Sequence, residues 1–268
     1  MSCKNKLKKT SILISSHSKA SDIWYLTDYF LKKYWKKELN IILGANGENK
    51  SEFIPKNWKY INNGEDISFS KSLVSYLEKI DDEYILLMLD DFMILEEVDD
   101  EKIKKAFDFI KINNGMYLRL IPNPKGDIKI NKDFSKIDVK SYVPYVTSLQ
   151  MAIWKKDFLK KLLEYNFSPW KFEIKAGKTK ESLENHDKFY VANYDFIKYT
   201  HFVEKGKFYP FLKDILEKEG LPLKSTRAFW SQKELQKMKE SYWKKTIRKV
   251  LPSKYINLIR EFMGKERL

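Results

Sequence analysis

Two adjacent carboxylates, Asp90 and Asp91, close the apolar run from Tyr84 to Leu89, and Phe92-Met-Ile-Leu95 resumes it. Carboxylates are costly to bury alone, so a pair at the end of such a run needs a cation, hydrogen-bond donors or water. Hard cations such as Mg2+ and Mn2+ take oxygen ligands, and Mg2+ commonly combines one or two carboxylates with substrate phosphates and water. The pair therefore points to a metal-bound, phosphate-bearing substrate at the carboxyl end of a strand, where ligands bind in open α/β sheets. Side chains alternate along a strand, so two adjacent acids diverge and only one of Asp90 and Asp91 meets a given cation. The plain alternative is a strand-end turn with solvated acids.

The run that must position these acids is bounded by Asp81-Asp82-Glu83 and has the continuous apolar pattern of a strand buried on both faces. Ahead of it the sequence predicts a strand at Thr10–Ser15, a polar loop at Ser15–Ser21 and a helix from Ser21 or Asp22 to Lys37. Strands at Leu39–Leu43 and Trp58–Ile61 and a helix at Ser68–Ile80 follow. This β-α-β-β-α-β order predicts an α/β sheet of nucleotide-binding character. Beyond the acids, helices are expected at Asp99–Ile112, Lys156–Tyr165 and Phe208–Lys218. Strands are expected at Met116–Leu120, Ser148–Trp154 and Tyr190–Tyr199, with a hairpin between Ile128 and Tyr142 and a loop holding Ser168–Glu173.

A chain of 268 residues with a net charge of +14 and 15% aromatic residues suits one large α/β domain with a basic surface. The single cysteine, Cys3, excludes an internal disulfide framework and fits a reducing cytoplasm. Ile12-Leu-Ile14 is too short for a secretory core, and no stretch approaches the roughly 20 apolar residues of a membrane span. The expectation is a cytoplasmic protein, soluble or peripheral on the inner membrane face. From Ser231 onward, eleven Lys/Arg against four Glu leave a charge of +7, half the total. Leu235, Met238, Tyr242, Trp243, Ile247 and Val250, then Tyr255, Leu258, Ile259 and Phe262, recur at helical spacing around Pro252. A basic amphipathic helical tail over 231–268, beside a domain over 1–230, suits an anionic lipid interface. Equally, it suits packing on its own domain or on a second subunit of a homo-oligomer.

The segment Tyr84–Leu89 with Asp90-Asp91-Phe92 resembles the Asp-x-Asp region of GT-A-type nucleotide-sugar glycosyltransferases, in particular bacterial enzymes of lipopolysaccharide and capsular polysaccharide synthesis. Three further segments fit in order: Ile12 to Trp24, Ser148-Leu-Gln-Met-Ala-Ile-Trp154 with Asp157-Phe-Leu, and Ser168-Pro-Trp-Lys-Phe-Glu173. The usual motif has a residue between its acids, and here they are adjacent. The resemblance implies a GT-A-like (Rossmann-related) mixed sheet flanked by helices and a nucleotide-diphosphate sugar donor. The acceptor would be a glycan or lipid-linked molecule of cell-surface polysaccharide synthesis.

It also implies roles. Ser15, Ser16, His17, Asp66, Ser70 (rather than Ser72), Asp90 and Lys207 would bind the nucleotide sugar, Lys207 from the basic Lys205-Gly206-Lys207. Asp91, Asp90 and His201 would hold Mg2+ or Mn2+, with Asp91 also catalytic. Gln150, Trp154, Trp170 and Phe172 would face the acceptor, the last two as a stacking wall. Glu173 would be the general base that takes the acceptor hydroxyl proton. The alternative for Pro169 to Glu173 is a hydrophobic corner with a surface acid. His186, among Glu184, Asn185 and Asp187, reads as a surface residue.

No Gly-x-Gly-x-x-Gly, Walker or Gly-x-Ser-x-Gly motif is present, which argues against dehydrogenase, kinase, NTPase and serine hydrolase readings. Two rivals stand beside sugar transfer. One is a basic, non-enzymatic nucleic-acid-binding protein, against which an acid pair that would repel phosphate speaks. The other is a metal-dependent nucleotidyl or phosphoryl transferase using the same carboxylates.

Overall fold

The computed structural model describes residues 11–141 and 145–237. The chain divides into two compact units, 1–201 and 202–268.

In the first unit, the strands β1 (Ser11–His17), β2 (Asn40–Asn46), β3 (Lys59–Ile61) and β4 (Tyr84–Leu89) alternate with the helices α1 (Trp24–Tyr34) and α2 (Phe69–Leu77) in the predicted β-α-β-β-α-β order. Next come β5 (Phe92–Ile94), α3 (Asp100–Ile112), β6 (Tyr117–Arg119), β7 (Ile128–Lys129), β8 (Phe134–Lys136), β9 (Ala152–Lys155) and α4 (Lys156–Leu163). The unit finishes with α5 (Pro169–Lys175), α6 (Lys180–Glu184), β10 (Phe189–Ala192) and β11 (Tyr199–His201).

Nine strands form one mixed sheet in the order β3-β2-β1-β4-β9-β6-β10-β8-β7. The first four are parallel, and β9 lies antiparallel between β4 and β6. β7 and β8 make the expected hairpin.

Consecutive residues of β1 and β4, Ile12 to Ile14 and Tyr84 to Met88, are all buried. Since alternate residues face opposite ways, both faces of these central strands are covered. One face carries Leu13, Ile85, Leu87 and Trp154 into a cluster with Leu73 and Tyr76 of α2, Leu159 of α4 and Phe172 of α5.

Several boundaries differ from the sequence reading. β1 continues through His17, and a 3-10 turn over Ser18–Ile23 replaces the expected helix start at Ser21 or Asp22. The imidazole of His17 caps that turn by accepting the Lys19 N–H. The segment 168–173, expected as a loop, enters α5, with Ser168 at the N-cap and Pro169 in the first turn, where a missing N–H costs nothing. The strand expected over Tyr190–Tyr199 is two strands, β10 and β11. The second pairs antiparallel with β5 in a separate ribbon, setting His201 opposite Phe92.

The second unit contains the hairpin of β12 (Val203–Glu204) and β13 (Lys207–Phe208), followed by α7 (Phe211–Glu219). Gly220, at φ 63°, ends α7 in the left-handed conformation that favours glycine. Ser231 and Glu234 form a reciprocal capping box. Of the tail expected over 231–268, the part from 238 onward lies outside the described residues.

Candidate active site

β1 and β4 end side by side, with Ser15 paired to Leu89. Beyond their carboxyl ends lies a cavity of about 300 Å3 lined by Ser15, Ser16, His17, Asp66, Phe69, Ser72, Tyr76, Leu89, Asp90, Leu149 and Pro169. This is the size of a small-ligand site. His17 accepts the Lys19 N–H at Nδ1 (3.0 Å), leaving Nε2 as the donor toward Asp66 Oδ2 at 3.3 Å. The other Asp66 oxygen accepts from Ser72 (2.6 Å), and Ser72 Oγ accepts from the Asn46 amide (3.1 Å). The Asn46 backbone N–H donates to the Tyr76 hydroxyl at 2.8 Å. Burial pushes the Tyr76 phenol up to about 12, so it stays neutral and can accept that bond.

Of the residues predicted to hold a nucleotide sugar, Ser15, Ser16, His17, Asp66 and Asp90 meet at this cavity. Ser70 does not. It is fully buried and donates to the Phe167 carbonyl at 2.8 Å, tying α2 to the segment before α5. Ser72 sits at the wall instead, because it is Ser72 whose helical position turns toward β2. Asn46, Ser72 and Tyr76 were not singled out from the sequence as ligand-binding residues. The available signal was the spacing of Ser72 and Tyr76, four residues apart on one helix face.

Asp90 and Asp91 lie in the turn between β4 and β5, past the strand whose alternation was expected to part them, and their side chains take different partners. Asp90 accepts from the Ser16 hydroxyl, which in turn accepts from Trp24 Nε1 at 2.8 Å, and the Asp90 carbonyl accepts from Thr27. Asp91 turns to His201, with Oδ2 3.1 Å from Nδ1, and its Oδ1 is buried without a hydrogen-bond partner. Tyr199, two residues back on β11, donates to the Gln150 carbonyl oxygen at 2.5 Å, and the Gln150 amide lies 3.4 Å from His201 Nε2. Gln150 thus reaches the site through His201.

The donor set of Asp91 and His201, with one orphaned buried carboxylate oxygen, fits an oxygen-preferring divalent ion. Among the described residues no group of three or more His, Cys, Asp or Glu side chains gathers around one point. The remaining ligands would be phosphate oxygens and water.

Glu173 stands on α5 across the Leu149 wall of the cavity. Its Oε1 accepts the Leu149 N–H at 2.9 Å. Burial pushes its carboxyl above the ordinary 4.5, against the pull of that N–H and of the nearby His201 and Arg119. The residues around it depart from the expected stacking wall. Phe172 is fully buried against Phe69 and Trp154, and Trp154 is itself fully buried between Phe172 and Tyr117. Both hold α5 to the sheet and touch no open surface. Trp170 alone is 73% exposed, one residue past the cavity-lining Pro169. Lys207 belongs to the second unit, where its ammonium pairs with Glu234 at 2.7 Å and lies over the Trp230 ring. His186, as expected, takes no part in the site, its Nδ1 lying 3.1 Å from the Leu183 carbonyl.

No protein-family model matches the sequence, and no curated protein matches it. Solved structures do. S. aureus TarS 1-349 in complex with UDP-GlcNAc superposes with a TM-score of 0.50 at 15% identity over 75% of this chain and 60% of that one. The chain has a GT-A-like fold. It spans about 60% of the length of these TarS structures. The mannosyltransferase PcManGT from Pyrobaculum calidifontis, in complex with GDP-Man and Mn2+, gives 0.48 at 10% identity over 74% of this chain and 58% of that chain. A cytidylyltransferase from Leptospira borgpetersenii gives 0.43 at 13% identity, over 83% and 99%.

Proposed function

We propose that the chain is a glycosyltransferase that moves a sugar from a nucleotide-diphosphate donor to a hydroxyl of a glycan or lipid-linked acceptor in cell-surface polysaccharide synthesis. One observation carries this reading. A half-buried glutamate, Glu173, is hydrogen-bonded to the wall of a cavity of small-ligand size at the carboxyl ends of parallel strands. The nucleoside would lie against the hydrogen-bonded pair of His17 and Asp66 at the cavity wall, and Asp90 with Ser16 would border the diphosphate. Mg2+ or Mn2+, held by Asp91 and His201, would supply positive charge to the departing diphosphate.

Among the described residues Glu173 Oε2 has no hydrogen-bond partner, whereas Oε1 is fixed by Leu149. Oε2 takes the proton of the acceptor hydroxyl as its oxygen bonds to the anomeric carbon. The bond from that carbon to the diphosphate breaks, and its electron pair leaves with the nucleotide. Trp170, on the same lip as Glu173, would border the acceptor.

A panel of UDP-, GDP- and CMP-sugars, with and without Mn2+, tests the reading through thermal shift and donor hydrolysis. Glu173→Gln should bind the selected donor as the wild type does and lose at least about 100-fold in transfer, the usual scale of general base catalysis. Silence toward every donor, or full transfer by this variant, would sink it. Release of pyrophosphate from a nucleoside triphosphate would favour the nucleotidyl transferase rival.

A further inference from the structure

Arg119 is the only arginine in the first 226 residues, where every other basic side chain apart from histidine is lysine. It is also fully buried. No carboxylate pairs with it among the described residues. Its guanidinium donates instead to three backbone carbonyls, Nη1 to Tyr145 (2.9 Å), Nη2 to Pro124 (2.5 Å) and Nε to Ile121 (3.3 Å). A buried cation without a counter-ion is expensive, and the rigid five-donor fork is what lets arginine, not lysine, hold several carbonyls at once.

The segment it holds is the one that grips Glu173. Tyr145, whose carbonyl Arg119 binds, donates its own N–H to the Glu173 carbonyl at 3.2 Å, and Leu149 donates to the Glu173 carboxylate. Tyr145 makes this reversal at φ 70°, a conformation unfavourable for its side chain and therefore in need of support. The charged and titratable groups acting on Glu173 are Arg119, from the end of β6, and His201, from β11.

We propose that Arg119 is a positioning residue for Glu173: it clamps the 145–149 segment that holds the glutamate at backbone and carboxylate, and supplies the buried positive charge that keeps the carboxylate usable as a base. This deepens the reading of Glu173 as the base and rests on it.

The test needs no substrate. In the full chain labelled with 13C at glutamate and 15N at the backbone, the Glu173 carboxyl is titrated by NMR and assigned by its absence in Glu173→Gln. The Leu149 amide should follow the same midpoint in the wild type. In Arg119→Met the midpoint should rise and the Leu149 response should fall at least twofold. In Arg119→Lys, which keeps the charge and loses the fork, the midpoint should stay and the Leu149 response should fall.

A folded Arg119→Met with the wild-type midpoint or the wild-type Leu149 response overturns the proposal. If Arg119→Met does not fold, a wild-type Leu149 response in Arg119→Lys does so. Transfer assays separate the two readings. Glu173→Gln inactive beside a fully active Arg119→Met defeats the role of Arg119 alone, whereas an active Glu173→Gln defeats the base.

Discussion

At Glu173 catalysis and stability pull in opposite directions. Its carboxyl sits above the ordinary value because the fold buries it. The folded state thus binds this proton more tightly than the unfolded chain does. The group favours folding below about pH 4.5, the ordinary value, and that contribution is lost as pH rises through the folded pKa. At neutral pH the ionised acid therefore costs stability, and Glu173→Gln, which can still accept the Leu149 N–H, should melt no lower than the wild type at pH 7.5. A Tm drop of more than about 4 °C, roughly 1 to 2 kcal/mol at this size, would show that the charge stabilises the fold. The acid limb of kcat/KM should fall at a pH above 4.5 in the wild type. Asp66 makes a different prediction. It joins His17 to Ser72 at the cavity and is half-exposed, so its hydrogen bond from His17 contributes at most about 1 kcal/mol to stability. Asp66→Ala should leave Tm nearly unchanged and weaken donor binding about tenfold, or 1.4 kcal/mol, measured by calorimetry. Unchanged affinity would remove Asp66 from the donor site.

Much of this site was legible one element at a time. Strand and acid pair could be read because each is a local pattern: an apolar run, its polar bounds and its terminus. What depended on packing could not. Ser70 and Ser72 are two positions apart on α2, yet one is buried against Phe167 and the other faces the cavity, a difference set by how α2 meets β2. Phe172 and Trp154 have the aromatic character of acceptor-facing residues, and only the docking of α5 on the sheet shows them to be its anchors. The start of α5 was readable, since Ser168-Pro169 is an N-cap followed by proline in the first turn. Gly44 shows how closely α2 and β2 approach: a Cβ there would fall on the ring of Tyr76, whose hydroxyl is fixed by Asn46. Gly44→Ala should therefore destabilise by about 1–3 kcal/mol, the usual range for overpacking. It should also weaken donor binding, because displacing that ring disturbs the path from Asn46 through Ser72 to Asp66. Wild-type Tm and affinity in this variant would mean that the ring moves freely.

At the scale of the whole molecule, chemistry and charge are separated along the chain. The cavity is built from residues between Ser15 and Pro169, and Glu173 follows closely. Residues 238–268 hold nine Lys/Arg and three Glu, a net +6 of the total +14. Among the described residues no helix is long and apolar enough to cross a membrane. Near an anionic bilayer each basic residue contributes roughly 1 kcal/mol, an attraction that fades beyond a Debye length of about 10 Å at 0.1 M salt. If the tail is the anchor, a chain ending at Lys237, which keeps the Ser231–Glu234 capping box and its pair with Lys207, should lose at least tenfold in sedimentation with phosphatidylglycerol vesicles. Most of the salt dependence should go with it, while binding to phosphatidylcholine vesicles, weak in both chains, stays level. Donor hydrolysis should not change. Equal vesicle binding by the two chains would exclude the tail as the membrane contact. A lower Tm for the shortened chain would then place the tail on its own domain, and a fall from an oligomeric to a monomeric mass would place it on a second copy.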